Sequence, residues 1–360
     1  MKKQHVTLKQ VASTAGVSYQ TVSKVLNHQI HISKQTEDRI WEAVRTLGYR
    51  PSFIARSLRT QRSFTIGYSW PPSPPDQENT ILDQFLQSMF LAAEEQGYYL
   101  LCFPYHAEPA KHLATYNELI ETRRVDGFVL SNIEYDDLRV HLLLEHNFPF
   151  VAFGRSNPGL AFPWIDVDGG AGIQQAALHL LENGHRKIAA LAWPSDSRVG
   201  NNRMEGYFAA LHGAGIDPHE SWIRRGEGCF DFGYQATLDL LDLAEDIRPT
   251  ALVALNDMMA VGALQAVKDH GLRAGSDFAV TGFDDAPMVQ YTFPPLTTVR
   301  QPITQIGQRI ISILMEYIST GIVAGNPTQL IVPELIVRGS SLRNSDKSNQ
   351  LKTEGKSTRF

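Results

Sequence analysis

Polar side chains recur just after short β-like runs, where an open α/β sheet exposes its binding edge. Arg155 follows Phe150–Gly154, Asn256-Asp257 follow Ala251–Leu255, and Asp284-Asp285 come just after Phe278–Gly282. Gln301 comes directly after Leu296–Arg300, and Arg203 sits near the start of the helical run that follows Lys187–Ala192. Guanidinium, carboxylate and amide groups together supply both donors and acceptors, which suits a polyol. Trp70, Trp164 and Phe230 are the candidate aromatic platforms. Asp257 and Asp285 have a second reading as helix caps, and Trp70 has one as a core residue.

A different chemistry lies near the N-terminus. Tyr19, Gln20, Thr21, Ser23, Lys24 and Asn27 fall on the outer side of a short helical run whose Val22, Val25 and Leu26 point inward. A polar, donor-rich helix face of this kind suits the base edges of a DNA major groove.

Catalytic patterns are missing. There is no G-x-S-x-G and no H-E-x-x-H, and two cysteines, Cys102 and Cys229, cannot make a four-ligand zinc site. Asp168-Gly169-Gly170-Ala171-Gly172 lacks the G-x-G-x-x-G spacing of a dinucleotide loop and reads as a helix start capped by Asp168. Asp257 with Asp284 would need a raised carboxyl pKa and a defined separation to work as a glycosidase pair, and sequence supplies neither. The expectation is a protein that is not an enzyme, with no cofactor and no metal.

The elements that must hold these groups divide the chain unequally. Residues 1–62 carry eleven Lys/Arg against three acids, a net of +8, while the other 298 residues hold 22 basic and 35 acidic side chains, a net of −13. A basic head on an acidic body implies that the head alone meets a polyanion. At 360 residues the prior is two to three domains. No apolar run reaches the ~18 residues of a membrane span. Met1-Lys2-Lys3 leads into Gln4 and His5 rather than a secretory apolar core. The expected compartment is a reducing cytoplasm, with no membrane partner.

In the head, Thr7 caps a helix carrying Leu8, Val11, Ala12 and Ala15, and Gly16 makes the turn. Ser18 caps the second helix, Tyr19 to Leu26. A third runs from the cap Ser33 to the stop at Gly48, with Glu37 and Asp38 in its first turn. Helices joined by such a turn make a helix-turn-helix. Residues 51–62 form a hinge in which Ser52 to Arg59 can make two helical turns, with Arg56 and Arg59 toward DNA, folding only on binding. Beyond it, strand and helix patterns alternate, which requires parallel sheets covered on both faces. Residues 343–360, with only Leu351 and Phe360 as large apolar groups, are expected to form a disordered tail.

These strings resemble one family. Val6-Thr7-Leu8-Lys9-Gln10-Val11-Ala12, Ala15 through Asn27, Leu47-Gly48-Tyr49-Arg50-Pro51 and Ala55 through Thr60 look like the lactose-repressor (LacI/GalR) family of bacterial regulators. The resemblance covers roughly residues 5–342. It implies a three-helix DNA-binding head (1–50), a hinge (51–62) and an effector-binding, dimerising body (63–342). The body would be periplasmic-binding-protein-like, with two doubly wound parallel-sheet subdomains, 63–163 plus 300–327 and 164–297 plus 328–341. Tyr19, Gln20 and Lys24 would read the operator. Thr7, Ser18, Thr21, Ser23, Asn27, His31, Ser33 and Thr36 would contact phosphates, and Leu58 would wedge into a minor-groove step. Arg203, Asn256 and Asp284 align with the family's partners for sugar hydroxyls, and Trp164 with a ring position.

The implied function is a transcriptional regulator, most simply a repressor. Its partners would be a pseudo-palindromic double-stranded operator, a second copy of itself and a small-molecule effector, expected to be a carbohydrate. A homodimer follows because one short helix reads too few base pairs. Trp70-Pro71-Pro72-Ser73-Pro74-Pro75, where many relatives carry an Asn-Pro-Phe-Phe-like loop, is stiff and extended. It would leave Trp70 at the cleft mouth for a second sugar ring. A purine-type corepressor stacked on Trp164 and Phe230 is the alternative reading, and a sugar-modifying enzyme fused to a DNA-binding head is a distant third.

Overall fold

A computed structural model of the chain describes residues 6–26, 30, 32–49, 57, 60–71, 79–323 and 328–342. The hinge positions Arg56 and Leu58, the phosphate candidates Asn27 and His31, the loop 72–78 and the tail 343–360 lie outside the described residues. The chain forms two compact units, one up to Ser63 and one from Phe64 onward.

The head contains α1 (Leu8–Ala15), α2 (Tyr19–Leu26) and α3 (Lys34–Leu47). Thr7 and Gln10 close a reciprocal capping box on α1, which satisfies two otherwise orphaned N–H groups. Gly16, at φ 65°, makes the left-handed turn that a side chain with Cβ would resist. Val11, Ala12, Ala15, Val22, Val25, Ile40 and Ala43 form the buried core. Ser33 stands at the α3 N-cap position, yet its hydroxyl meets Thr36 Oγ1 (2.9 Å) instead of a backbone N–H. The expected Ser33 cap bond is therefore absent.

The body has two six-stranded sheets. The first has the order β11-β5-β4-β3-β1-β2, built from β1 (Thr65–Trp70), β2 (Tyr99–Pro104), β3 (Gly127–Leu130), β4 (Phe150–Phe153), β5 (Trp164–Val167) and β11 (Thr328–Ile331). The second has the order β12-β10-β9-β8-β6-β7, from β6 (Ile188–Ala192), β7 (Ile223–Arg225), β8 (Ala251–Ala254), β9 (Ala279–Asp284), β10 (Thr297–Arg300) and β12 (Glu334–Ile336). Every pairing is parallel except β10 with β12. The central strands are buried along their whole length, as in Ile188–Ala192, because helices cover both faces.

The subdomain boundaries differ from expectation. Trp164 pairs with both Ala152 and Thr328, so β5 and β11 belong to the first sheet, whereas Thr297–Arg300 lies in the second. The chain thus passes between subdomains after Val167, after Arg300 and after Ile331. β11 is a short edge strand with Gln329 and Leu330 exposed, and its Leu330-Ile331 pair is too short an apolar run to assign it.

Helices α4 (Thr80–Glu95), α5 (Pro109–Glu121), α6 (Leu138–Glu145) and α11 (Ile303–Thr320) belong to the first subdomain. α7 (Gly169–Glu182), α8 (Arg198–Gly213), α9 (Phe230–Leu241) and α10 (Asp257–Asp269) belong to the second. Asp168 caps α7 by accepting from the Ala171 N–H (2.9 Å). Two helix pairs approach at glycine: a Cβ on Gly206 would lie 1.9 Å from the Gly170 carbonyl oxygen, and one on Gly262 would lie 2.2 Å from that of Phe230. No helix among the described residues is long and apolar enough to cross a membrane.

Candidate ligand cavity and DNA-reading helix

In the head, the burial of Val22 and Val25 turns the opposite side of α2 to solvent. Tyr19, Gln20 and Lys24 are exposed there, and Thr21 and Ser23 are half-buried. Ser18 Oγ accepts the Thr21 N–H (3.0 Å), so the side chain that starts the helix also fixes its first turn. Thr7, Ser18 and Ser33 are exposed and Thr36 is half-buried.

In the body, the carboxyl ends of both sheets open on a cavity of about 790 Å³, within the range of small-molecule sites. Arg203, Asn256, Asp284 and Gln301 line it. Arg203 projects from the first half of α8 and is buried. Its guanidinium lies over Phe283 (3.6 Å to the ring centroid) and beside Trp193 (5.1 Å), donates from Nη1 to the Leu255 carbonyl, and stands 4.0 Å from Asp284 Oδ1. Burial pulls its pKa down to about 10, against the opposing pull of Asp284. A buried cation whose nearest carboxylate is this distant is thinly compensated.

Asp284 ends β9 at φ 126°, a backbone region that side chains with Cβ rarely adopt, so the fold holds this carboxylate under strain. Gln301 Nε2 donates to its Oδ1 (2.7 Å). Burial raises its pKa to about 6, although Arg203 works in the other direction.

Asp257, beside it, is deeply buried. It accepts from Thr298 Oγ1 (2.5 Å) and the Ala286 N–H (2.8 Å), and burial together with Asp284 pushes its pKa well up. Asn256, not Asp257, caps α10: its Oδ1 takes the Met259 N–H (2.9 Å), and its Nδ2 donates to the Gly228 carbonyl (2.8 Å). Asp285 ties Arg300 and Arg338, at 2.7 Å each, and is not a helix cap.

The aromatic expectations need correction, because Trp70, Trp164 and Phe230 are not among the residues lining the cavity. Trp164 opens β5, at the end of the strand away from Asp166 and Val167, which do line it. Trp70 packs edge-on against Tyr68 (6.2 Å), and Phe230 stacks on Tyr234 one turn along α9 (6.2 Å). The indole on the wall is Trp193, the residue directly after β6. Its place at a strand's carboxyl end was the signal available in the sequence. Arg155 also stands off the wall: its Nε donates to Asp166 Oδ2 (2.8 Å), and its guanidinium lies over Trp164 (5.7 Å).

Sequence reasoning also missed the groups that join the subdomains. Arg198, in the first turn of α8, donates to Asp166 Oδ2 (3.3 Å) and the Ile133 carbonyl (3.3 Å), while its backbone N–H meets Glu134 Oε2 (2.9 Å). Asn202 Oδ1 receives the Gly170 N–H (3.3 Å) and Arg155 Nη2 (3.4 Å). Among the described residues, no group of three or more His, Cys, Asp or Glu is placed to hold a metal ion.

Comparison with known proteins fits both units. Residues 7–52 match the bacterial regulatory proteins of the lacI family, and residues 177–341 match a periplasmic binding protein-like domain. The HTH-type transcriptional repressor PurR of Erwinia tasmaniensis is 34% identical over 319 residues, covering 87% of this chain and 91% of that protein. The chain belongs to the lacI family of bacterial regulatory proteins. The HTH-type regulator GalS of Salmonella typhimurium, also 34% identical, aligns over 93% of this chain and 96% of its own.

Solved lacI-family structures agree. A regulatory protein from Chloroflexus aggregans is 50% identical with a TM-score of 0.74, covering 77% of this chain and 98% of that one. The lac repressor dimer bound to operator and the anti-inducer ONPF reaches 0.81 at 29% identity, covering 94% and 100%. A complex of the regulator CelR with cellobiose reaches 0.69 at 29%, covering 93% and 100%. As a member of the lacI family the chain is a DNA-binding transcriptional repressor, and its relatives are regulators rather than enzymes.

Proposed function

We propose that the chain represses transcription from a pseudo-palindromic operator as a homodimer, and that a neutral sugar or oligosaccharide in the 790 Å³ cavity sets its operator affinity. The observation that carries this reading is Asp284, which meets both Arg203 and Gln301 beside the Trp193 indole. A guanidinium, a carboxylate and an amide next to a flat apolar ring match the alternating hydroxyl and C–H faces of a sugar. CelR, a structural neighbour, binds cellobiose in its solved complex, which supports a carbohydrate. The purine alternative drew on Trp164 and Phe230, and neither lines the cavity.

Both subdomains contribute to the wall, so a ligand there favours one mutual arrangement and shifts the population toward it. In this reading, that shift moves the two hinge segments of the dimer and changes how they fold on DNA. Tyr19, Gln20 and Lys24 read bases. Thr7, Ser18, Thr21, Ser23, Asn27, His31, Ser33 and Thr36 hold phosphates, with Arg56 beside the wedge Leu58. The compartment of such a regulator is the cytoplasm. Isothermal calorimetry against mono-, di- and oligosaccharides and purine bases tests the effector class: saturable binding of a sugar, lost in Arg203→Met, supports the reading, and tight binding of a purine base alone overturns it.

A further inference from the structure

A second cavity, of about 480 Å³, opens in the first subdomain where β1, β2 and β3 end. It adjoins the first, because Pro71, Asn132 and Glu134 line both. Its floor is charged yet already satisfied. Arg139 is buried and spends Nε and Nη2 on the two oxygens of Asp137 (2.9 and 2.6 Å), with Nη2 also reaching the Ser131 and Asn132 carbonyls (3.1 and 3.0 Å). His112, also buried, lies 3.5 Å from Ser69 Oγ, and its Nδ1 accepts the His106 N–H (3.3 Å). A guanidinium neutralised in this way offers no charge to an anion, and Glu134 and Asp136 among the lining residues repel one.

The walls are different. Tyr105 and Tyr135 are 41% and 47% exposed, so each presents a ring to whatever occupies the space. Tyr105 is held by its contact with His112 (4.6 Å between centroids). Large exposed rings with free hydroxyls, over a floor whose polar groups are mutually paired, select a neutral ligand with an apolar face and a hydroxylated edge.

We infer that this cavity is an outer subsite for the same effector: a neutral oligosaccharide held at Arg203 and Asp284 continues past Pro71, Asn132 and Glu134 and places a distal unit between Tyr105 and Tyr135. The inference rests on the carbohydrate reading above and adds to it the length and charge of the ligand. It also gives the distal unit a path to the second subdomain, since Glu134 at the junction accepts the Arg198 N–H of α8. A chain that crosses the junction thus touches the carboxylate that already joins the two halves.

Calorimetry on the full chain with cello-, malto- and xylo-oligosaccharides of two to four units tests it, using wild type, Tyr105→Ala and Tyr135→Ala. In one of these series the wild-type affinity rises by about tenfold or more between the disaccharide and its longer homologues. The rise is lost in either tyrosine variant while disaccharide affinity is kept. Both side chains are substantially exposed, so the variants fold, and a retained melting temperature verifies it. Affinity that does not grow beyond two units, or growth that persists in either variant, overturns the subsite while leaving the carbohydrate reading intact. Absence of binding by every sugar in the set overturns the carbohydrate reading, and the subsite with it.

Discussion

Arg198, in the first turn of α8, places a guanidinium nitrogen 3.3 Å from Asp166 Oδ2 near the end of β5, so one ion pair spans the two subdomains. The same carboxylate oxygen also receives Arg155 Nε at 2.8 Å, from its own subdomain. Asp166 is therefore held in place by one arginine and linked across the cavity by the other. Moving the subdomains apart would separate this pair, so the contact favours the arrangement in which Arg198 and Asp166 meet.

Removing Arg198 should thus cost closure rather than folding. In Arg198→Ala, Asp166 keeps Arg155 and is not left as an uncompensated charge. We expect ligand affinity to fall about tenfold, since the binding-competent arrangement becomes a minor state. Small-angle scattering should show a more open body. Unchanged affinity by calorimetry would count against the cross-link.

Asp284 should make ligand binding depend on pH. Its pKa stands at about 6 in the folded chain against an ordinary 3.8, because burial disfavours the charge. The folded state therefore takes up the proton more readily than the unfolded one. Its ionised form weakens the fold above pH 6, and that penalty is relieved as pH falls from about 6 toward 3.8. Ligand affinity should run the other way. A hydroxyl donating to the carboxylate loses its charged acceptor as Asp284 is protonated below about pH 6, so affinity should drop between pH 7 and 5. Asp284→Asn should flatten that profile, which calorimetry across the range reads directly.

Gly206→Ala should destabilise the body although alanine is the better helix former. The gain in propensity is about 1 kcal/mol. A Cβ there would sit 1.9 Å from the Gly170 carbonyl oxygen and force α7 and α8 apart. Overpacking of this kind costs about 1–3 kcal/mol or more and should win. A lowered melting temperature with unaltered DNA recognition by the head is the expected outcome.

Gln20→Ala should relax the preferred half-site, because its amide is exposed on the face of α2 opposite the core. Thr36→Ala should weaken all sequences alike, as loss of a phosphate contact does. Selection from a random duplex library distinguishes the two. An unchanged half-site in Gln20→Ala would put the reading face elsewhere on α2.

Legibility of the chain followed burial. The head could be read almost to the residue, because Thr7, Gly16 and Gly48 mark helix ends by local chemistry, and the αL values of the two glycines, 65° and 62°, match that reading. Strands such as β6 and β8 announce themselves as unbroken apolar runs because both of their faces are covered. β5, β7, β11 and β12 are only three or four residues long, and β7, β11 and β12 lie at or near sheet edges, where no such run is required. The same distinction separates the site residues. Arg203, Asp284 and Gln301 sit next to recognisable strand ends or a recognisable helix. Trp164 begins the four-residue β5, too short to stand out in the sequence, so its distance from the cavity end of the strand is visible only in the structure.

A ligand at Arg203 and Asp284 should change the affinity of the head for DNA. Fluorescence anisotropy of the selected operator duplex, with and without neutral di- to tetrasaccharides, reads this coupling in wild type and Asp284→Ala. At least one sugar should shift wild-type operator affinity by about tenfold or more, within the usual span of allosteric coupling. The shift should vanish in the variant while its sugar-free affinity is unchanged. A sugar-dependent shift that survives intact in Asp284→Ala, or no shift with any sugar, would show that operator affinity is not set through this cavity.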